Sequence, residues 1–128
     1  MLRVHLESRQ GFTLYSCRGA SLPLIALPGF VIGAKGPRGE VGHGGHAGQS
    51  PADRARKYAP GIRDIGENIS YGTAEARRIV TQLLVDDGVP SRGDRQKIMN
   101  PDYDIVGVSI GPHATYGHMC VIVFARSR

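Results

Sequence analysis

The carboxyl end of the chain carries the pattern that most limits its fold, two strand-forming runs in succession. Residues 104–111 read DIVGVSIG, in which Val106, Val108 and Ile110 alternate with smaller or polar residues, and residues 119–125 read MCVIVFA, which is apolar throughout. Alternation is typical of a strand with one buried face, and a continuous apolar run is typical of a fully buried strand. The loop PHATYGH between them is long enough for a hairpin. We therefore predict an antiparallel pair whose second strand is the more buried.

Two helices are expected upstream of these strands. Ser50 is a good N-cap, Pro51 suits the first helical position, and Asp53 completes a weak capping box, so a short helix is predicted over residues 51–59. Thr73 is expected to cap a longer helix over residues 73–87. Its apolar residues recur at helical spacing: Ala76, Ile79, Val80, Leu83 and Leu84. Helices that precede an antiparallel pair indicate the α+β class, with helices packed on a sheet.

The longer helix ends in Asp86 and Asp87, where the helix dipole favours cations rather than carboxylates. Either of two arrangements would compensate: a solvated end with Arg92 or Arg95 nearby, or a cation held in a cleft. A further short helix is predicted to begin at Asp94, as its N-cap, and to stop before Asn100-Pro101.

Charge and cysteine content exclude some functions. The chain has 128 residues, the size of one domain, and a net charge of +5; its arginines are scattered along the sequence, and it contains no Trp. Nucleic-acid binders concentrate positive charge on one face and interleave aromatic residues, so we predict no nucleic-acid partner. Cys17 and Cys120 form no metal-binding spacing, and Cys120, inside an apolar run, is interpreted as a buried free thiol.

The amino-terminal third shows no sustained period. Residues 1–20 lack a pattern, and residues 21–34 form an apolar run that two prolines interrupt. Fourteen residues are too few to cross a bilayer, which needs about 20, so no transmembrane span is predicted. The run fits either the h-region of a signal sequence, although no clear signal peptide is recognisable, or a buried irregular segment. We therefore predict an irregular or poorly ordered segment over 1–35 and a folded domain over 36–128.

The segment GENISYG, residues 66–72, places Glu67 beside Asn68 between two glycines. A carboxylate and a carboxamide do not fill a core, and both glycines let the backbone turn or approach another group closely. Two interpretations follow from these residues: a turn in which Asn68 bonds its own backbone, or a pair of side chains that face a site.

Five blocks in order carry a resemblance: GHGGHAGQSPADR, GENISYG, LLVDDGVPSRGDR, NPDYDIVGVSIGPH and YGHMCVIVFA. Together they resemble a bacterial member of the CAP superfamily, named after cysteine-rich secretory proteins, antigen 5 and pathogenesis-related proteins. The resemblance covers residues 36–128. It implies an α-β-α sandwich with a central antiparallel sheet and a large cleft. The first helix of such proteins is missing or altered here, as an altered start or a shifted reading frame would produce.

The resemblance also implies a site. In many members the cleft floor holds two histidines and two acids that bind a divalent metal. His43 matches the first histidine, Glu67 the first acid, and Asn68 would tie the adjacent loop. Asp86 or Asp87 is nearest to the second acid. Asp94 in RGDR stands where related sequences have histidine, so the implied metal set is His43, Glu67 and Asp94, with zinc as the possible ion.

Function follows as an expectation from the same resemblance. The leading hypothesis is an extracellular or cell-surface binding module whose cleft takes a small apolar ligand, a metal ion or a protein partner. The alternatives are a metal-assisted hydrolase, in which Glu67 takes a proton from metal-bound water, and a degenerate copy without activity. The sequence does not set the ligand, the export route or the oligomeric state.

Overall fold

The computed structural model describes residues 5–9, 12–16, 22–58, 61–86 and 88–126. Within these residues the chain forms five strands and four α-helices. The strands are β1 (His5–Arg9), β2 (Phe12–Ser16), β3 (Asp64–Tyr71), β4 (Ile105–His113) and β5 (Gly117–Arg126). The helices are α1 (Leu22–Lys35), α2 (Pro51–Tyr58), α3 (Ala76–Val85) and α4 (Gly93–Met99), and a 3-10 turn spans His46–Gly48.

The strands form one antiparallel sheet in the order β1-β2-β4-β5-β3. The predicted hairpin is confirmed: β4 pairs with β5 from Ile105 opposite Ala125 to His113 opposite Gly117. On its other side β5 pairs with all of β3. β5 is therefore an interior strand of the sheet. β3 lies at the edge of the sheet.

Helices cover both faces of this sheet. Alternate residues of β5 point to opposite faces. One face packs against α1 and α2 through a cluster that includes Leu27, Val31, Ala55, Met119, Val121 and Val123. The other packs against α3 and α4 through Ile79, Leu83, Ile98, Cys120 and Ile122. The predicted α+β class, an α-β-α sandwich around an antiparallel sheet, is confirmed.

Helix α1 corrects the prediction for the amino-terminal segment. Residues 22–35 are helical, whereas we expected an irregular run without a first helix, and residues 5–9 and 12–16 pair as strands. Pro28 lies inside the helix and removes one backbone hydrogen bond, a loss of about 3 kcal/mol. Leu27, Val31 and Ile32 are almost completely buried against the sheet and α2, at about 1.5–3 kcal/mol each, which outweighs that loss. The proposed division at residue 35 stays a prediction.

The amino end of α2 has the capping box that the sequence predicts. The Ser50 hydroxyl accepts the Asp53 N–H at 3.1 Å, and the Asp53 carboxylate accepts the Ser50 N–H at 3.1 Å. The bond from the Ser50 backbone N–H holds the pKa of Asp53 below its usual value. Charged residues dominate this short helix, yet it turns Arg54 and Ala55 into the protein.

Helix α3 is the longest helix of residues 36–126, as predicted, but it is shorter than 73–87. Its N-cap is Glu75 rather than Thr73, whose hydroxyl accepts the Glu75 N–H. Ile79 and Leu83 are buried as expected. Val80, however, is 45 % exposed, because a helix turns each successive residue about 100° away from the face that packs on the sheet.

At the carboxyl end of α3 the structure places the arginines of the first predicted arrangement, but Asp86 is buried rather than solvated. Arg92 Nη1 donates to the Val85 carbonyl at 2.6 Å, and Arg95 Nε donates to the Leu84 carbonyl. Helix α4 begins after Arg92, so the prediction of Asp94 as its N-cap is wrong. Asp94 lies in the first turn instead, where the side chain of Asp86, the C-cap residue of α3, accepts its N–H.

Candidate functional site

The segment GENISYG lies in edge strand β3, so the interpretation of these residues as a turn is wrong. Because side chains alternate along a strand, Glu67 and Asn68 point to opposite faces of the sheet. Register confirms this: Glu67 lies opposite Val123, which faces α1 and α2, and Asn68 lies opposite Ile122, which faces α3 and α4. The candidate site therefore extends around the edge of the sheet.

On the α2 side of β3, three side chains form a chain of contacts. Glu67 Oε2 accepts a hydrogen bond from Arg54 Nη2 at 2.8 Å, and Glu67 Oε1 lies 2.9 Å from His43 Nδ1. The side chains of Arg54 and Glu67 are each 1 % exposed, whereas that of His43 is 53 % exposed. Since the carboxylate accepts, Nδ1 of His43 carries the proton, and Nε2 is the free acceptor of the ring.

The loop that carries His43 is organised by the same arginine. Arg54 Nη1 donates to the carbonyls of His43 at 3.0 Å and of Gln49 at 2.7 Å. Gly45 lies so close that a Cβ there would be 3.1 Å from Arg54 Nη1. The loop thus wraps around the guanidinium, and a side chain at Gly45 would crowd it.

Aromatic residues anchor the preceding part of this loop. The Tyr71 hydroxyl accepts the Gly42 N–H at 3.0 Å, and His113 Nε2 lies 2.8 Å from the Glu40 carbonyl. Two backbone N–H groups point at His113 Nδ1, so Nε2 carries the proton and donates to that carbonyl. Tyr71 and His113 contact each other edge to face, with ring centroids 5.2 Å apart. These contacts fix the approach of the loop to Glu67.

On the α3 and α4 side of β3, two acids meet. The Asp94 N–H donates to Asp86 Oδ2 at 3.0 Å, and the Asn68 amide donates to the Asp94 carbonyl at 2.9 Å. Burial, and next the charge of Asp86, raise the pKa of Asp94, while the positive charge of Lys97, and that of His43 when its ring is protonated, act in the opposite direction. Asp86 therefore lies beside Asp94 on this side of the strand, and its match to the second acid of the family stays a prediction. Asp87 lies outside the described residues, as does the side chain of His46.

A cavity of about 810 Å³ opens beside this acid pair, along the outward flank of α3. Its lining includes Asp86 and Asp94 at one end and Arg77 and Arg78 on the helix. The structure thus places the predicted residues His43, Glu67, Asn68, Asp86 and Asp94 along one edge of the sheet, in two groups, with this cleft beside the second.

The described residues do not fit the zinc site that the resemblance implies. Among the side chains that the structure describes, no three of His, Cys, Asp and Glu converge as ligands. Both oxygens of Glu67 are engaged, one by a guanidinium, and the contacts of Asp94 are with Asp86 and Lys97 rather than with Glu67. A bound cation at Glu67 would meet the charge of Arg54.

Sequence reasoning missed Arg54. Charged residues dominate α2, so no apolar stripe distinguishes its buried face. The available signal was indirect: a glutamate that is buried in the fold needs a cationic partner, and Arg54 lies thirteen residues upstream of it.

Comparisons with known proteins agree with this fold. Residues 35–124 match the sequence model of the cysteine-rich secretory protein family, CAP. The fold is similar to that of an outer surface protein from Borrelia burgdorferi, with a TM-score of 0.65 at 20 % identity, over 84 % of this chain and 76 % of that one. No curated protein sequence matches the chain. None of the helices in the described ranges has the length and apolar character that crossing a bilayer requires.

Proposed function

Because the chain belongs to the cysteine-rich secretory protein (CAP) family, we propose that it is a secreted or cell-surface binding module for a small apolar ligand. Its structural neighbour, an outer surface protein, supports a location outside the cell. The apolar ligand is supported by a second cavity, on the other flank of α3 from the acid pair.

The observation that carries the proposal is the chemistry of this second cavity. It has a volume of about 350 Å³, within the range of small-molecule sites, and lies between α3 and the β4–β5 hairpin. Its walls are the side chains of Ala74, Ala76, Ile79, Val80, Val108, Ile110, Cys120 and Ile122. Val80 lines the open mouth of the cavity and is exposed to solvent, so it can contact a bound ligand although it does not belong to the buried core.

The cavity favours an uncharged ligand. Among the described residues that line it none is charged, so a charged group inside would lose its hydration without a partner. Burial raises the pKa of the Cys120 thiol to about 12, so this side chain stays protonated and acts as part of the apolar wall. An aliphatic or aromatic hydrocarbon moiety is the chemistry that fits.

The proposal is tested with a neutral apolar fluorophore, N-phenyl-1-naphthylamine, titrated into the folded protein. We expect saturable binding that Val108→Phe abolishes by filling the cavity. Val41→Phe is the matched control, since Val41 is 56 % exposed on a loop and does not line the cavity. Ala76→Phe serves as a second blocking variant if Val108→Phe does not fold. Equal binding by wild type and a folded blocking variant would contradict the proposal.

A second candidate function, hydrolysis, is favoured by the contact between His43 and Glu67. Glu67 fixes the imidazole through Nδ1 and leaves Nε2 on an exposed ring, an arrangement in which Nε2 can take a proton from water. The test is hydrolysis of p-nitrophenyl acetate in buffer with a chelator. A rate above that of buffer which His43→Gln removes would support hydrolysis, and equal rates for both proteins would exclude this role of His43.

A further inference from the structure

The His43–Glu67 side of the site contains a buried cation of its own. The Arg54 and Glu67 side chains are each 1 % exposed, and their charged groups are 2.8 Å apart. A carboxylate removed from water requires a positive partner close by. A bound metal ion is one way to supply that charge, whereas here the protein supplies it from its own side chain.

A divalent ion would compete with Arg54 for the same oxygens. Glu67 Oε2 is bound to the guanidinium, and Oε1 is bound to His43 Nδ1. An ion that contacted Glu67 would lie within a few ångströms of the guanidinium, at a buried position where water screens the repulsion between like charges poorly. The repulsion rises with the charge of the ion, so a divalent ion is disfavoured more than a monovalent one.

Arg54 is also built into the loop, so it is not free to move aside. Its Nη1 donates to two loop carbonyls, those of His43 and Gln49, and the backbone at Gly45 passes close to it. Displacing the guanidinium would leave these carbonyls without their donor, which is costly for each one that stays buried. The ion pair and the loop therefore hold each other in place.

We propose that Arg54 is the resident cation of the His43–Glu67 pair and that it excludes divalent metal ions from this pair. The loss of the second histidine at Asp94 is then a secondary difference, and restoring it does not create a metal site while Arg54 remains. This inference concerns a different part of the molecule from the apolar cavity, and neither depends on the other.

The test is calorimetric titration with zinc of four proteins: wild type, Asp94→His, Asp94→His with Arg54→Met, and Asp94→His with Arg56→Met. The last is the matched control, because Arg56 lies on the same helix with its side chain 75 % exposed. We expect at least about tenfold tighter zinc binding when Arg54 is replaced than for the other three proteins. A chelator should reverse the binding, and His43→Ala in the same background should abolish it.

Two results would overturn the proposal: zinc binding by wild type or Asp94→His that depends on His43, or no gain in zinc affinity when Arg54 is replaced in a folded protein. If the double variant does not fold, the wild type still decides. Its His43 imidazole nitrogen resonances should respond to zinc no more than those of the exposed His118. A selective response of His43 would show that Arg54 does not exclude the ion.

Discussion

Arg54 Nη2 and Glu67 Oε2 lie 2.8 Å apart in an ion pair whose two side chains are each 1 % exposed. The pair joins α2 to edge strand β3. Exposed ion pairs contribute little to stability, but breaking a buried pair leaves an uncompensated charge in a low-dielectric environment. The pair thus couples the folding of the loop and α2 to that of the sheet.

The first prediction follows from this burial. Arg54→Met should lower the free energy of unfolding by about 3–5 kcal/mol, because the buried Glu67 carboxylate then loses its guanidinium partner and keeps only the hydrogen bond from His43. Adding Glu67→Gln should recover part of the loss. Urea denaturation of the two single variants and the double variant measures this in one double-mutant cycle, with Arg56→Met as the exposed control. Additive effects of the two substitutions would show that the pair does not couple the two elements.

The second prediction concerns the helix that packs over the hairpin. Leu83 is 3 % exposed and belongs to the cluster between α3 and the sheet, so Leu83→Ala should lower the free energy of unfolding by about 2–5 kcal/mol. Val80→Ala, on the same helix but at the cavity mouth, should have a smaller effect. Thermal or urea denaturation compares the two. Equal losses would mean that α3 does not pack on the sheet through Leu83.

Local patterns account for the elements that sequence reasoning found. The capping box of Ser50 and Asp53 involves neighbours in the chain, and the spacing of Ile79 and Leu83 reports one packed helix face. The apolar run of β5 reports burial of both faces of the strand under helices. In each case the determining contacts are local or repeat with the period of the element, so one sequence reveals them.

Contacts between residues distant in the chain determine the elements that sequence reasoning missed. The prolines of α1 argue locally against a helix, and burial of Leu27, Val31 and Ile32 by distant strands overrides them. The resemblance identified His43 and Glu67 as neighbours, and the structure brings them together. Arg54 was missed because a buried charge is distinguished from a solvated one by its partner, which sequence spacing does not show.

The third prediction is a pH dependence at Asp94. Burial and the charge of Asp86 raise the pKa of Asp94 above its usual 3.8, so the folded protein binds this proton more tightly than the unfolded chain. The tighter binding of this proton therefore stabilises the folded protein fully below pH 3.8, and the stabilisation is lost as the pH rises through the pKa of Asp94 in the folded protein. The positive charge of Lys97, and that of His43 when protonated, reduce the shift without reversing it.

Asp94→Asn removes this titration. Relative to wild type, the variant should gain stability as the pH rises from 3.8 through that window. Urea denaturation at a series of pH values measures the difference, and Asp102→Asn, at an exposed turn beyond α4, is the control. A constant difference between Asp94→Asn and wild type over the whole series would show that Asp94 titrates alike in the folded and unfolded states.

The last prediction separates the hydrogen bond of Asn68 from its volume. Asn68 is completely buried, its amide N–H donates to the Asp94 carbonyl at 2.9 Å, and its Oδ1 has no hydrogen-bond partner among the described residues. Asn68→Asp turns the donor into an oxygen that faces a carbonyl, close to the Asp86 and Asp94 acid pair. It should lower the free energy of unfolding by about 2–4 kcal/mol at neutral pH, more than is typical of one unsatisfied buried group.

Asn68→Leu, which removes the orphaned oxygen together with the donor, should lose less. Because the introduced carboxyl group becomes charged as pH rises, the gap between the two variants should widen from about pH 4 to about pH 7. Urea denaturation at both pH values tests this, and a gap that stays the same would mean that position 68 is not buried against the acid pair.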